Sequence, residues 1–90
     1  MRVARRYVIA GRVQGVGFRW FAHDAARREG VHGWVRNLAD GSVEVMAEGE
    51  TTAVDRLEAA VRRGPASAHV ERVDVEEHAP AGRVIGFEIR

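Results

Sequence analysis

The feature that most constrains the fold is a change of hydrophobic period across a pair of glycines early in the chain. From Arg5 to Val13 residues alternate, with Tyr7, Ile9 and Val13 on one face and Val8 and Ala10 on the other, as in a central β-strand. After Gln14-Gly15-Val16-Gly17 the period becomes helical. Phe18, Phe21, Ala22, Ala25 and Ala26 share one stripe, and Gly30 offers a C-terminal cap. A strand that passes through a glycine loop straight into a helix needs a sheet to continue and a face for the helix to cover.

The remaining pattern supplies both. Val31 to Asn37 and Ser42 to Glu48 read as strands, the second with Val43, Val45 and Ala47 on one face, and Asp40-Gly41 marks the hairpin between them. Thr52 and Asp55 form an approximate capping box ahead of the stripe Val54, Leu57, Val61, and Gly64-Pro65 ends that helix. Val70 to Glu77 is a fourth strand. Phe87 and Ile89 allow a short terminal strand, set apart by a segment from His78 to Gly86 that reads as flexible. The order βαββαβ predicts an α+β, ferredoxin-like sandwich: an antiparallel sheet covered on one face by two helices. With 90 residues there is room for one core, so residues 1–90 are expected to form a single domain. That order of elements serves many functions and decides none of them.

Composition acts by exclusion. The chain has no Cys, which removes thiolate nucleophiles, thiolate metal sites and disulfides. All 14 basic residues are Arg, so Walker-type phosphate binding and lysine Schiff-base chemistry are removed as well. The net charge of +1 reflects interleaved acids and bases without a basic block, which gives no electrostatic footprint for nucleic acid. No apolar run reaches the length of a membrane span, and the basic start from Met1 to Arg6 leads into an alternating strand rather than a signal sequence. A cytoplasmic protein with neither a membrane nor a nucleic-acid partner is expected.

Two stretches carry chemistry. In Gly11-Arg12-Val13-Gln14-Gly15-Val16-Gly17-Phe18-Arg19 a strand ends in a loop whose backbone N–H groups lie at the positive end of a helix dipole. Arg19 adds a forked, permanently charged group able to hold two phosphoryl oxygens. A lone Gly-x-Gly is also the mark of an ordinary tight turn with a surface arginine. It is not a dinucleotide loop, because Trp20 stands where the third glycine belongs, and no Gly-Lys-Ser/Thr follows. In Gly33-Trp34-Val35-Arg36-Asn37-Leu38-Ala39-Asp40-Gly41-Ser42-Val43-Glu44, Asn37 falls at a strand end before the hairpin. Asparagine is common in turns, but its amide oxygen can also orient a water; being neutral, it cannot act as a general base.

Other chemistries fit less well. Gln14 to Phe21 imitates one RNA-recognition signature, yet that signature belongs on a third strand, whereas this stretch leaves the first strand and enters a helix. Tyr7, Trp20, Phe21 and Trp34 are better read as core or site-wall aromatics. His23, His32, His69 and His78 lack metal-ligand spacing, and Glu76-Glu77 and Glu48-x-Glu50 read as solvated charges.

Together the two stretches resemble the acylphosphatase family, and the resemblance runs from Tyr7 through Gly64-Pro65 to the terminal Gly86-Phe87-Glu88-Ile89-Arg90. It implies hydrolysis of the carboxyl-phosphate bond of an acyl phosphate by a positioned water. Arg19 would be the phosphate-binding arginine, Asn37 the water-positioning asparagine, and Gln14, Gly15, Val16, Gly17 and Phe18 the backbone cradle. A small-molecule acyl phosphate is the expected substrate, with inorganic phosphate as product and inhibitor. No cofactor or metal is expected, and the chain is expected to be a monomer. The least family-like segment, His78 to Gly86, could alter substrate access. A non-catalytic regulatory domain of the same fold is the alternative, since similar domains occur fused to larger carbamoyl-transfer enzymes.

Overall fold

The computed structural model describes residues 1–82 and 84–90. Among them the order is β1 (Arg2–Arg12), α1 (Phe18–Glu29), β2 (His32–Asn37), β3 (Val43–Glu50), α2 (Thr51–Arg63), β4 (His69–His78) and β5 (Phe87–Ile89). The strands form one sheet in the order β4-β1-β3-β2-β5. Central β1 and β3 pair antiparallel from Arg2 opposite Glu50 to Ile9 opposite Val43.

Period-two alternation places the core. Tyr7, Val45 and Val35 stand in one row across three strands, and none of them is exposed to solvent. Onto this face α1 lays Phe18, Ala22, Ala25 and Ala26, and α2 lays Val54, Leu57, Ala60 and Val61. Burying a side chain the size of Phe18 or Leu57 contributes about 1.5–3 kcal/mol, and the alanines beside them let the helices sit close to the strands. Gly30 ends α1 as the sequence predicts, with its N–H and that of Val31 turned back onto the carbonyls of Arg27 and Ala26 at 3.2 and 2.9 Å.

The expected sandwich is present, with four corrections. First, β5 runs parallel to β2, pairing Gly33 with Phe87 and Val35 with Ile89. β4 and β5 lie at opposite edges of the sheet, and between them the Ala81 and Gly82 N–H groups reach the Glu48 side chain. Second, the strand predicted to reach Val13 stops at Arg12. Its pairing with β4 slips between Ala10 and Gly11, where φ is 128° and a Cβ would lie 2.2 Å from the His69 carbonyl oxygen. Val13 leaves the ladder there yet still packs inward, 1% exposed. Third, the Thr52–Asp55 capping box does not form. The helix begins at Thr51 behind Glu50, and Asp55 instead accepts from Arg5 Nη1 at 2.6 Å, since a full guanidinium charge attracts a carboxylate more strongly than a backbone N–H. Fourth, Trp34 belongs neither to the core nor to the site wall. It lies on the helix-free face with the guanidiniums of Arg36 and Arg90 about 5 Å from its ring centre.

Candidate active site

The site is made where β1 gives way to α1. Gly15 and Gly17 adopt φ of 73° and 79°, and no described atom lies within 4 Å of where a Cβ would stand on either. Glycine is therefore needed for the backbone conformation rather than for space. Left-handed residues at these alternate positions favour a concave arrangement of N–H groups, which continues into the helix end. Phe21 makes the first intrahelical bond, donating to Gly17 O at 3.0 Å. Among the described residues, no carbonyl or side chain accepts from the N–H of Phe18, Arg19 or Trp20. The first turn of α1 carries no acidic side chain that could compete for those donors.

The second part arrives on the β2–β3 hairpin. Asn37 is the exposed last residue of β2, and the turn after it is tightly held. Leu38 N–H donates to Ser42 O at 2.8 Å, Gly41 N–H to Leu38 O at 3.2 Å, and Asp40 Oδ1 accepts both the N–H and the hydroxyl of Ser42 at 2.9 and 2.5 Å. The Ser42 hydroxyl first, and then its N–H, hold the Asp40 carboxyl below its ordinary range. Gln14 fastens the glycine loop to this turn, its Nε2 donating to Leu38 O at 2.8 Å and Ser42 O at 2.9 Å.

The two parts enclose an open cleft of about 90 Å³. Of the residues singled out in the sequence, Gly15, Gly17, Phe18, Arg19 and Asn37 line it, joined by Val13 and Trp20. Gln14 and Val16 do not. The Gln14 amide is engaged with the hairpin, and Val16 packs partly buried against the core while its carbonyl accepts from the Ser67 hydroxyl at 3.1 Å. Phe18 contributes a helix-start N–H, its ring being part of the core at 2% exposure.

One participant gave no sequence signal. Arg19 Nη1 donates to the main-chain oxygen of Arg90 at 3.3 Å, across 71 positions of sequence. Arg90 is itself placed by β5: its N–H donates to Val35 O at 2.8 Å, and its guanidinium pairs with Glu88. The parallel docking of β5 thus brings an acceptor to the guanidinium in the cleft, and nothing in local sequence reports such a contact.

Other ionisable groups lie elsewhere. His23 Nδ1 sits 3.0 Å from Asp24 Oδ1, and His78 Nε2 sits 2.6 Å from Glu76 Oε1. Among the described residues, no three His, Asp or Glu side chains are gathered so as to hold a metal ion. Glu44, which the sequence did not mark, is a buried carboxylate on the helix-free face, held by Arg6 and by Arg36 Nε, the latter at 2.5 Å. Burial pushes its pKa up, but the two guanidiniums outweigh burial and leave it below the ordinary value.

The described part of the segment from His78 to Gly86 is placed by contacts away from the cleft. Position 83 lies outside the described residues, but those around it are fastened: Ala81 and Gly82 N–H groups donate to Glu48 Oε1 at 2.9 and 3.2 Å, and Gly86 N–H donates to His32 Nδ1 at 2.7 Å. His32 is at the opposite end of β2 from Asn37, about 16 Å away at 3.3 Å per residue. The described part of the segment therefore does not border the cleft.

A helix end with unpaired N–H groups, a guanidinium and a neutral amide around one small cleft is an arrangement suited to a tetrahedral oxyanion. The chain matches the acylphosphatase family over residues 5–89 and belongs to it. An acylphosphatase from Anaeromyxobacter dehalogenans (strain 2CP-C) is 54% identical over 89 residues, which cover 99% of this chain and 96% of that one. One from Thermococcus kodakarensis (strain ATCC BAA-918 / JCM 12380 / KOD1) is 49% identical over 88 residues, covering 98% and 96%. The crystal structure of the acylphosphatase from Bacillus subtilis superposes with a TM-score of 0.94 at 36% identity, with 98% of each chain covered.

Proposed function

We propose that this protein is an acylphosphatase, an enzyme that hydrolyses the carboxyl-phosphate bond of acyl phosphates, with Arg19 and Asn37 as its catalytic residues. The observation that carries the reading is the meeting of Arg19 and Asn37, from separate segments, in one cleft at the start of α1. Family membership supports it independently.

The phosphoryl oxygens are held by N–H groups between Gly15 and Arg19 and by the Arg19 guanidinium. Asn37 accepts a hydrogen bond from a water through its amide oxygen and aligns it with phosphorus. A bond forms from the water oxygen to phosphorus while the bond from phosphorus to the acyl oxygen breaks, its electron pair leaving on the carboxylate. Both water protons end on the phosphate, giving a carboxylate and dihydrogen phosphate. A carboxylate is a weak base and departs unprotonated, so the residues present suffice without a general acid. Gln14 serves as a strut between the loop and the hairpin, and Val16 contributes at most its backbone.

On this reading the 90 residues act as one catalytic unit, a monomer in the cytoplasm, and inorganic phosphate competes with substrate for the same N–H groups. Among the described residues, no helix is long and apolar enough to cross a membrane. The test is hydrolysis of benzoyl phosphate by the purified chain in excess EDTA, with inorganic phosphate added in parallel. Metal-free turnover with competitive inhibition is the expected result. Absence of turnover, or activity restored only by a divalent ion, defeats the mechanism as written.

A further inference from the structure

Of the described cleft residues, the mechanism above leaves Val13 and Trp20 without a task, and of these two only Trp20 is exposed. Its side chain is 65% exposed, although an indole is among the largest apolar groups a chain can bury. It is not loose. Its ring meets the imidazole of His23 edge-on, with centroids 5.5 Å apart, and that imidazole in turn meets Phe87 at 6.3 Å. One turn of helix thus fixes an exposed aromatic surface beside Arg19.

The rest of the wall offers nothing comparable. Val13 and Phe18 are 1% and 2% exposed, the two glycines have no side chain, and Arg19 and Asn37 are polar. In-line attack also places the leaving group on the side of phosphorus away from the water, and therefore away from the Asn37 amide that holds it. Among the described residues lining the cleft, Trp20 alone presents free apolar surface to whatever the phosphoryl group is attached to.

We infer that Trp20 is a specificity-determining residue whose indole carries the acyl group, and that the preferred substrates are acyl phosphates with aromatic acyl groups. The inference rests on the acylphosphatase reading and adds the substrate class to it. A planar acyl group can lie against the indole face or meet its edge, whereas an acetyl group is too small to cover it. Contact of this kind is expected to be worth roughly three- to tenfold in kcat/KM.

The experiment compares benzoyl phosphate with acetyl phosphate in the unmodified protein, Trp20→Ala and Trp20→Phe. Support consists of a kcat/KM ratio favouring benzoyl phosphate, a fall in that ratio of about three- to tenfold in Trp20→Ala, carried mainly by KM, and recovery of much of it in Trp20→Phe. An unchanged ratio in Trp20→Ala overturns the inference, whether both substrates keep their rates or lose them equally, and leaves the catalytic reading standing. Failure of the unmodified protein to hydrolyse either substrate overturns the catalytic reading and this inference together. Because the indole is mostly in solvent, both variants are expected to melt close to the unmodified protein.

Discussion

The two helices of this sandwich start alike on paper and differently in space. Neither α1 nor α2 has an acidic residue in its first turn, both lack a side-chain cap among the described residues, and each has two arginines in its last turn. Neither first turn therefore carries a carboxylate of its own to offset the helix dipole. At α2 the chain itself supplies an acceptor to the first N–H of the helix. Glu50 enters the helix from an extended conformation with no intervening loop, and the N–H and hydroxyl of Thr51 both donate to Met1 O at 2.9 Å. At α1 the loop from Val13 to Gly17 intervenes, two of its residues are left-handed glycines, and the residues of the first turn, Phe18, Arg19 and Trp20, line the cleft. A helix dipole alone does not make an anion site. What distinguishes α1 is a backbone that keeps other groups of the protein away from its first turn.

This contrast breaks most readily at Arg19. Arg19→Ala should lower kcat/KM by roughly 10³-fold or more, because charge is removed from bound substrate and transition state alike. Arg19→Lys should recover little, since the fork that grips two oxygens and also reaches Arg90 O is gone. Steady-state kinetics with phosphate inhibition constants measure both. Asn37→Ala should come next, with turnover down about 10²-fold while the inhibition constant for phosphate stays within a few fold. Near-normal turnover in that variant removes Asn37 from the mechanism.

Smaller effects sharpen the comparison between the helix ends. Gly17→Ala forces a side chain into a left-handed conformation and should cost about 1–2 kcal/mol of stability, read from denaturant melts, together with a loss of phosphate binding. Thr51→Val at the other helix removes the hydroxyl bond to Met1 O and should cost about 0.5–1.5 kcal/mol with no change in kinetics. If both variants lose activity equally, the two ends are not functionally distinct.

The smallest effect is at Glu50, whose carboxylate accepts from the N-terminal ammonium at 2.8 Å. That hydrogen bond, followed by the ammonium charge, holds the Glu50 carboxyl below its ordinary value of 4.5. A carboxyl lowered on folding adds stability above its unfolded value, and that contribution is lost as pH falls below about 4.5 through the folded one. Exposure keeps it slight. NMR titration should find Glu50 depressed in the native chain and returned toward 4.5 once the N-terminus is acetylated.

The sequence by itself determined the order of elements, the core stripes and both motif cores, for a local reason. Alternation from Tyr7 to Ile9, helical spacing from Phe18 to Ala26, and glycines at 15 and 17 are written in residues close enough to interact as each element forms. Arg19 and Asn37, the proposed site residues, were singled out by the resemblance of their two stretches to the family, since the glycine loop and the turn taken alone fit ordinary structure equally well. Tertiary structure alone decided the rest, because it depends on which distant groups meet. The parallel docking of β5 brings Arg90 O to Arg19, and an ion pair with Arg5 takes Asp55 from its predicted cap. Gln14 becomes a strut because two hairpin carbonyls happen to face it, and Glu44 is buried because Arg6 and Arg36 flank it across the strands. Each of these partnerships spans a stretch of sequence over which propensity and period carry no information, so they exist only once the sheet has closed.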